Sequence, residues 1–209
     1  MRKRLSLLLM LFVSCWALAA DKTDKPAATP KYDAKFGEKY LKETEKNFLD
    51  SFSHLSEAQL KFKPAPDRWS VMEVAEHVTK AEDMFNQLVT EQIMKSPADP
   101  SKASEVAGKE TMLLEKVPDR SVKAQAPEAL KPTGKWATRD ELIKHFKETR
   151  AKNIAYIKDH YPEMRTHFLD QPPPGLLDAY QWLLFQGAHS KRHTAQIEEV
   201  KADPNFPKK

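Results

Sequence analysis

The sequence predicts an all-α protein, a four-helix bundle with a long crossover between helices two and three. Three observations carry this expectation. Four separate stretches repeat apolar residues at helical spacing with charges between them. Two of these stretches open on a capping box, and no stretch sustains the alternation of a strand. Four amphipathic helices bury their apolar faces most simply against one another.

In the first stretch Phe36, Tyr40, Phe48, Phe52 and Leu55 recur at threes and multiples of four. The second opens at Ser70, whose hydroxyl accepts from an orphan N–H of the first turn while Glu73 reaches back to the cap. Val74, Val78, Ala81, Phe85 and Leu88 then line one face. The third opens in the same way at Thr138 and Glu141 and continues through Leu142, Phe146, Ile154 and Ile157. It is expected to stop by Pro162, which lacks the N–H a helix needs. The fourth follows Pro172-Pro173-Pro174-Gly175 and is expected from about Leu176 to Lys201. Between helices two and three, residues 96–137 carry Pro97, Pro100, Pro118, Pro127 and Pro132, with a short helix expected around Lys109 to Glu115. A crossover of this length lets helices two and three run parallel, against a simple up-down-up-down order.

Composition removes several classes of function. With 209 residues, 40% apolar and 31% charged, the chain suits one globular domain, at most two. Its five glycines, at 37, 108, 134, 175 and 187, are too scattered for a phosphate-cradling loop or a dinucleotide fingerprint. One cysteine excludes a disulfide framework and a thiolate zinc site, so any metal must sit on His, Asp or Glu.

The N-terminus reads as a secretion signal over residues 1–20. Met1 to Arg4 is basic, Leu5 to Leu18 is almost wholly apolar, and Ala17-Leu18-Ala19 supplies the small residues that signal peptidase reads. The apolar run is shorter than the ~20 residues a membrane span needs. The expectation is an exported protein, periplasmic or secreted, with no membrane span; a lipid anchor at Cys15 is the lesser alternative. Cleavage removes Arg2, Lys3 and Arg4 and no acid, which accounts for most of the formal net charge of +4. Both signs alternate along the remainder, so no nucleic-acid partner is expected. Residues 21–31 form a polar leader, 32–201 the helical domain and 202–209 a C-terminal tail. A small-molecule substrate and a homodimer are both compatible with the sequence, which reveals neither substrate nor dimer interface.

The histidines carry the sharpest signal. Of seven, His189 and His193 stand four apart on the fourth helix, so both rings share one face. That spacing is weak evidence alone, but Trp182, Phe185, His189, His193 and Val200 fall in a single stripe. His77 likewise shares a face with Val74, Val78, Ala81, Phe85 and Leu88. Buried imidazoles need partners. They are either separate core histidines, each satisfied by a hydrogen bond, or ligands of one cation, and nitrogen ligands point to zinc, nickel or iron rather than calcium or magnesium.

The residues Pro64-Ala65-Pro66-Asp67-Arg68-Trp69-Ser70-Val71-Met72-Glu73-Val74-Ala75-Glu76-His77-Val78, after Leu55-Ser56-Glu57-Ala58-Gln59-Leu60, and the later His189-Ser190-Lys191-Arg192-His193-Thr194-Ala195-Gln196-Ile197 resemble the DinB-like (DinB/YfiT-like) family of four-helix metalloproteins. The resemblance spans roughly residues 35 to 201. It implies an up-down-down-up bundle and a three-histidine divalent-metal site carried here by His77, His189 and His193. The family includes thiol-dependent S-transferases, a maleylpyruvate isomerase and many members without a known reaction.

Three neutral ligands with an open position suit either hydrolysis or thiol S-transfer, because a zinc-type ion lowers the pKa of water or of a thiol. An exported protein meets less low-molecular-weight thiol than a cytoplasmic one. The alternative is a non-catalytic metal-binding or structural bundle. Around the histidines, Glu73 is expected to serve the helix cap rather than orient His77. Gln186 and Gln196 are expected to be solvated or core hydrogen-bonding groups, and Trp69 a packing anchor. Ser190 is rotated away from a nucleophile position, Lys191 and Arg192 are expected to face solvent, and His54, His145, His160 and His167 to be ordinary surface histidines.

Overall fold

The computed structural model describes residues 31–122 and 125–208. The expected signal peptide, Cys15 and the leader up to residue 30 lie outside the described residues. Helix α1 (Ala34–Phe52) starts at Asp33, whose carboxylate accepts from the Phe36 N–H at 2.8 Å. A short α2 (Glu57–Lys61) follows with its own capping box, Ser56 and Gln59. Helix α3 (Val71–Gln87) opens on the expected box: the Ser70 N–H donates to Glu73 at 2.7 Å, and Ser70 Oγ accepts from the Glu73 N–H at 3.2 Å. One π-turn, Leu88–Ile93, prolongs α3. The crossover holds α4 (Ala103–Val106) and α5 (Lys109–Lys116), the latter where a short helix is expected. Helices α6 (Arg139–Met164) and α7 (Ala179–Lys201) complete the bundle.

Four expectations need correction. The fold is mostly helical but not purely so, because Phe168–Gln171 (β1) and Gly175–Asp178 (β2) pair antiparallel, Phe168 opposite Asp178 and Gln171 opposite Gly175. Four residues are too few for alternation to register in a sequence window. The hairpin takes Leu176 and Leu177 out of the fourth helix, which begins at Ala179 behind an Asp178–Gln181 capping box. Pro162 does not stop α6. It sits in the last turn, where a proline forfeits one bond, and the fully buried Met164 beyond it anchors that turn. The Thr138 box is open: Thr138 accepts from the Glu141 N–H at 3.2 Å, but Glu141 accepts from Ala137 instead of the cap.

Two glycines let α1 and α7 approach closely. A Cβ at Gly37 of α1 would meet the Tyr180 ring of α7 at 2.6 Å, and one at Gly187 of α7 would meet the Tyr40 ring of α1 at 2.7 Å. Each helix thus offers a glycine to the other's tyrosine, and the Tyr180 hydroxyl donates to Asp33 O at 2.8 Å. Farther along the same pair, Lys201 donates to Ser51 O at 3.1 Å. Helix α6 packs on α1 through the Phe146 and Phe48 rings, 4.8 Å apart, and the Tyr161 hydroxyl donates to Tyr32 O. The tail folds back onto α2: Phe206 meets the Phe62 ring edge-on and Gln59 donates to Pro207 O. Among the described residues, no helix is long and apolar enough to cross a membrane.

The apolar core has two halves. One gathers Leu41, Phe85, Ile93, Leu113, Ile157 and Trp182; the other gathers Phe48, Phe52, Val74, Leu142, Phe146 and Ile197. Along each bundle helix a polar layer separates them, comprising Thr44 of α1, His77 and Glu82 of α3, Arg150 of α6, and Gln186, Ser190 and His193 of α7, all buried.

Candidate metal centre

His77 stands two turns into α3, past its capped start, and is 3% exposed. On α7 the i, i+4 spacing stacks His189, half-buried, one turn before His193, which is 8% exposed. The structure brings all three together: their candidate ligand atoms lie within 4.8 Å of one another. His77 Nε2 and His193 Nε2 each lie 3.1 Å from His189 Nε2.

The far side of two rings is engaged. His77 Nδ1 lies 3.0 Å from Leu130 O, a backbone carbonyl that can only accept, so Nδ1 carries the hydrogen and Nε2 is left as a lone pair. His193 Nδ1 lies 2.8 Å from Gln196 Oε1, which also accepts from Arg120 at 3.3 Å, so His193 takes the same tautomer. His189 can place a hydrogen from Nε2 toward only one of the two facing lone pairs. At least one pair of imidazole nitrogens therefore meets with no hydrogen between them.

All three rings are held neutral. Burial, and then His193 and His77 beside it, keep His189 well below the usual imidazole range. Burial and the nearby His77 push His193 down to about 3. Burial lowers His77 as well, against the opposing pull of the Leu130 carbonyl and with a smaller push from Lys80. Desolvation disfavours the charged form of each ring.

The surroundings separate the groups weighed from the sequence. Glu73 caps α3 and pairs with Lys63 at 2.7 Å, with no part in orienting His77. The Trp69 ring packs into the second half of the core and also lies 5.1 Å from the His77 ring, so it is both anchor and wall. Phe85 flanks His189 at 6.2 Å between ring centroids. Ser190 points into the core, accepting from Arg150 at 2.7 Å, and Gln186 donates to Glu82 at 2.6 Å. Arg192 is partly exposed rather than simply solvent-facing: its guanidinium donates to the carbonyls of Val117, Asp119 and Val122 and so holds the crossover against α7. Lys191 is exposed. Of the remaining histidines, His54 is exposed, while His145 pairs with Asp83 at 2.9 Å and His167 is buried.

Sequence reasoning missed the supports supplied by the crossover. Glu76 is 4% exposed, and its carboxylate accepts from the N–H groups of Thr133 at 2.7 Å, Gly134 at 2.8 Å and Lys135 at 3.2 Å, and from the Thr133 hydroxyl at 3.0 Å. Burial alone would raise its pKa, but these donors outweigh it and hold the carboxyl below the usual range. The loop they fix includes Leu130, whose carbonyl orients His77. Only the position of Glu76, directly before a candidate ligand, could have drawn attention to it.

Comparison with known proteins bears on the family and the fold. YuaE of Bacillus subtilis (strain 168), itself uncharacterised, is 29% identical over 147 residues, covering 70% of this chain and 86% of YuaE. The structure of YfiT from Bacillus subtilis, described as "a probable metal-dependent hydrolase with an unusual four-helix bundle topology", superposes with a TM-score of 0.55 at 15% identity, covering 87% of this chain and 93% of YfiT. Residues 40–197 match the DinB superfamily, a span that takes in α3 and α6, most of α1 and α7, and the three clustered histidines. The chain belongs to the DinB superfamily.

Proposed function

We propose that His77, His189 and His193 hold one divalent transition metal, zinc, nickel or iron, and that the chain is an exported metal-dependent hydrolase acting on a small molecule. The observation that carries this reading is the meeting of three neutral Nε2 atoms with too few hydrogens to bridge them. In a closed hydrogen-bonded core each contact would pair a donor with an acceptor, whereas here the lone pairs repel unless a cation lies among them. The spacing fits as well: nitrogens on a tetrahedral zinc with bonds of ~2.0–2.1 Å stand about 3.3 Å apart, close to the 3.1 Å contacts.

When bound, such an ion supplies Lewis acidity that lowers the pKa of water toward about 7. The chain's own groups do the rest. Leu130 O and Gln196 hold His77 and His193 in one tautomer, so both present Nε2 without rearrangement. Trp69 and Phe85 keep water from two flanks, and the half-buried His189 marks the side from which substrate arrives. Hydrolysis is preferred to thiol S-transfer because an exported protein meets little low-molecular-weight thiol and because YfiT is described as "a probable metal-dependent hydrolase". Export itself rests on the basic, apolar and small-residue order of residues 1–20.

The same reading assigns the bundle an up-down-down-up order. In support, contacts between α1 and α7 advance together, 37 with 180, 40 with 187 and 51 with 201. Those between α3 and α7 run oppositely, 77 with 189 and 85 with 182. Those between α1 and α6 also run oppositely, 32 with 161 and 48 with 146.

Elemental analysis of the mature protein, expressed without residues 1–20, is expected to find one tightly held transition metal that is lost in His189→Ala. A metal-free, folded wild type under metal-replete conditions would overturn the reading. For the reaction, a panel of chromogenic esters and amides should be turned over by the loaded protein, silenced by a chelator and restored by metal. Saturable binding without turnover would mark a binding module instead.

A further inference from the structure

Two of the three imidazoles have a support behind them, and the two supports differ in kind. Behind His77 stands a backbone carbonyl, which has only one polarity. Behind His193 stands the Gln196 side chain, whose amide can turn to offer either an acceptor oxygen or a donor NH2. With the oxygen toward the ring, His193 Nδ1 carries the hydrogen and Nε2 is a lone pair directed at the other two histidines. With the NH2 toward the ring, Nδ1 becomes the acceptor and the hydrogen moves to Nε2, where it blocks ligation. The arrangement works only if something decides which way the amide faces.

That choice falls to Arg120, a residue of the crossover. Its guanidinium has donors and no acceptor, and one N–H reaches Gln196 Oε1 at 3.3 Å. It is fastened in turn to Glu199 of α7 by two parallel bonds, Nε at 2.5 Å and a terminal nitrogen at 2.7 Å, the bidentate geometry that restricts a guanidinium to one plane. Gln196 and Glu199 are three apart on α7, so one guanidinium can hold both. Arg192 fastens the adjoining backbone of the crossover through Val117, Asp119 and Val122.

We propose that Gln196 and Arg120 are positioning residues for the metal site: Arg120, clamped by Glu199, turns the Gln196 carbonyl toward His193 and so imposes the tautomer whose Nε2 can ligate. This rests on the metal reading above and adds to it a specific dependence on residues that do not touch the ion. It also makes the crossover a working part of the site, since Arg120 and Leu130, both on it, stand behind different ligands from two directions.

The test compares zinc dissociation constants, measured by chelator competition on the mature chain, for wild type, Gln196→Leu, Gln196→Glu and Arg120→Ala, with the cobalt(II) absorption spectrum as a second readout. Gln196→Leu, which offers no acceptor, is expected to weaken zinc binding by about 10- to 100-fold and to alter the cobalt spectrum. Gln196→Glu, which can only accept, is expected to retain wild-type affinity or exceed it. Arg120→Ala is expected to fall between wild type and Gln196→Leu, because the amide is then free to turn. Melting of the zinc-free proteins reports on packing. A merely structural role would lower that melting temperature and leave zinc affinity unmoved. Equal affinity in all four proteins, or equal losses in Gln196→Leu and Gln196→Glu, would overturn the proposal. If Gln196→Leu does not fold, an unchanged affinity and spectrum in the partly exposed Arg120→Ala would overturn it alone. Failure of the wild type to bind zinc or cobalt would instead defeat the metal reading.

Discussion

The polar layer of this bundle holds two clusters that share α3 and α7, and they solve the burial of polar atoms in opposite ways. Around Arg150, every donor is used: Nε and one terminal nitrogen to Glu82, the other terminal nitrogen to Leu41 O at 2.9 Å and Thr44 at 2.9 Å, and a further bond to Ser190 at 2.7 Å. Five donors meet five acceptors, and both Arg150 and Glu82 are essentially inaccessible, at 0% and 1% exposure. One residue away on α7, His189 stands against His77 and His193 with acceptors facing acceptors. A network in which the guanidinium and its carboxylate are both paired needs no visitor and serves to hold α1, α3, α6 and α7 in register. An open one leaves room for a cation, and the energy of filling it is the energy of binding.

If that contrast is correct, perturbing the closed cluster should damage folding and perturbing the open one should damage binding. The largest effect is expected from Arg150→Met, which leaves the Glu82 carboxylate buried and unpaired. Urea unfolding should show a loss of about 3–5 kcal/mol. A loss within error would mean that Glu82 finds another partner and that the network is not closed. Next comes removal of the metal. For a free ion at one hundred times its dissociation constant, chelation should withdraw about 2.7 kcal/mol from the wild type, read as a drop in melting temperature. His189→Ala should show no such dependence while folding normally without metal.

Glu76 sharpens the comparison, because it is buried and closed yet supports the open site through the crossover loop. Glu76→Gln keeps the shape but removes the charge from four donors, and about 1–3 kcal/mol of stability should be lost, with weaker zinc binding as the loop behind His77 loosens. The sign of its pH dependence follows from its lowered pKa. The stabilisation is present above the unfolded carboxyl value of about 4.3 and disappears as pH falls through the lower folded value. Wild type should therefore lose an increment of stability below about pH 4.3 that Glu76→Gln never had. The smallest effect is expected from Ser70→Ala, about 1 kcal/mol for a lost helix cap. Since His77 lies two turns inside α3, zinc affinity should stay at the wild-type value.

Much of this is legible in the sequence. The apolar stripes of α1, α3 and α6, the Ser70 box and the inward position of all three histidines follow from helical periodicity, which is local and therefore readable. The hairpin was not legible, since strands of four residues with a proline turn leave no periodic trace, and Leu176 and Leu177 continue an apolar run that reads equally well as helix. Arg150 stands in the α6 stripe between Phe146 and Ile157, four residues after the former, and an arginine at such a position is a visible anomaly. Its partners are not, because Glu82, Ser190, Thr44 and Leu41 O come from three other helices. The place of Gln196 three residues after His193 is visible in the sequence, but its orientation is not, because that depends on a guanidinium 76 residues away.

By itself the sequence determined the helices, their buried faces and the residue types that could bind a cation, because side-chain periodicity and capping are decided within a few turns of chain. Tertiary structure decided which imidazole nitrogens meet, which tautomer each ring adopts, and which buried polar cluster is complete and which is open. Those outcomes depend on donors and acceptors carried in from distant segments, and a hydrogen bond exists only once both of its ends are in place.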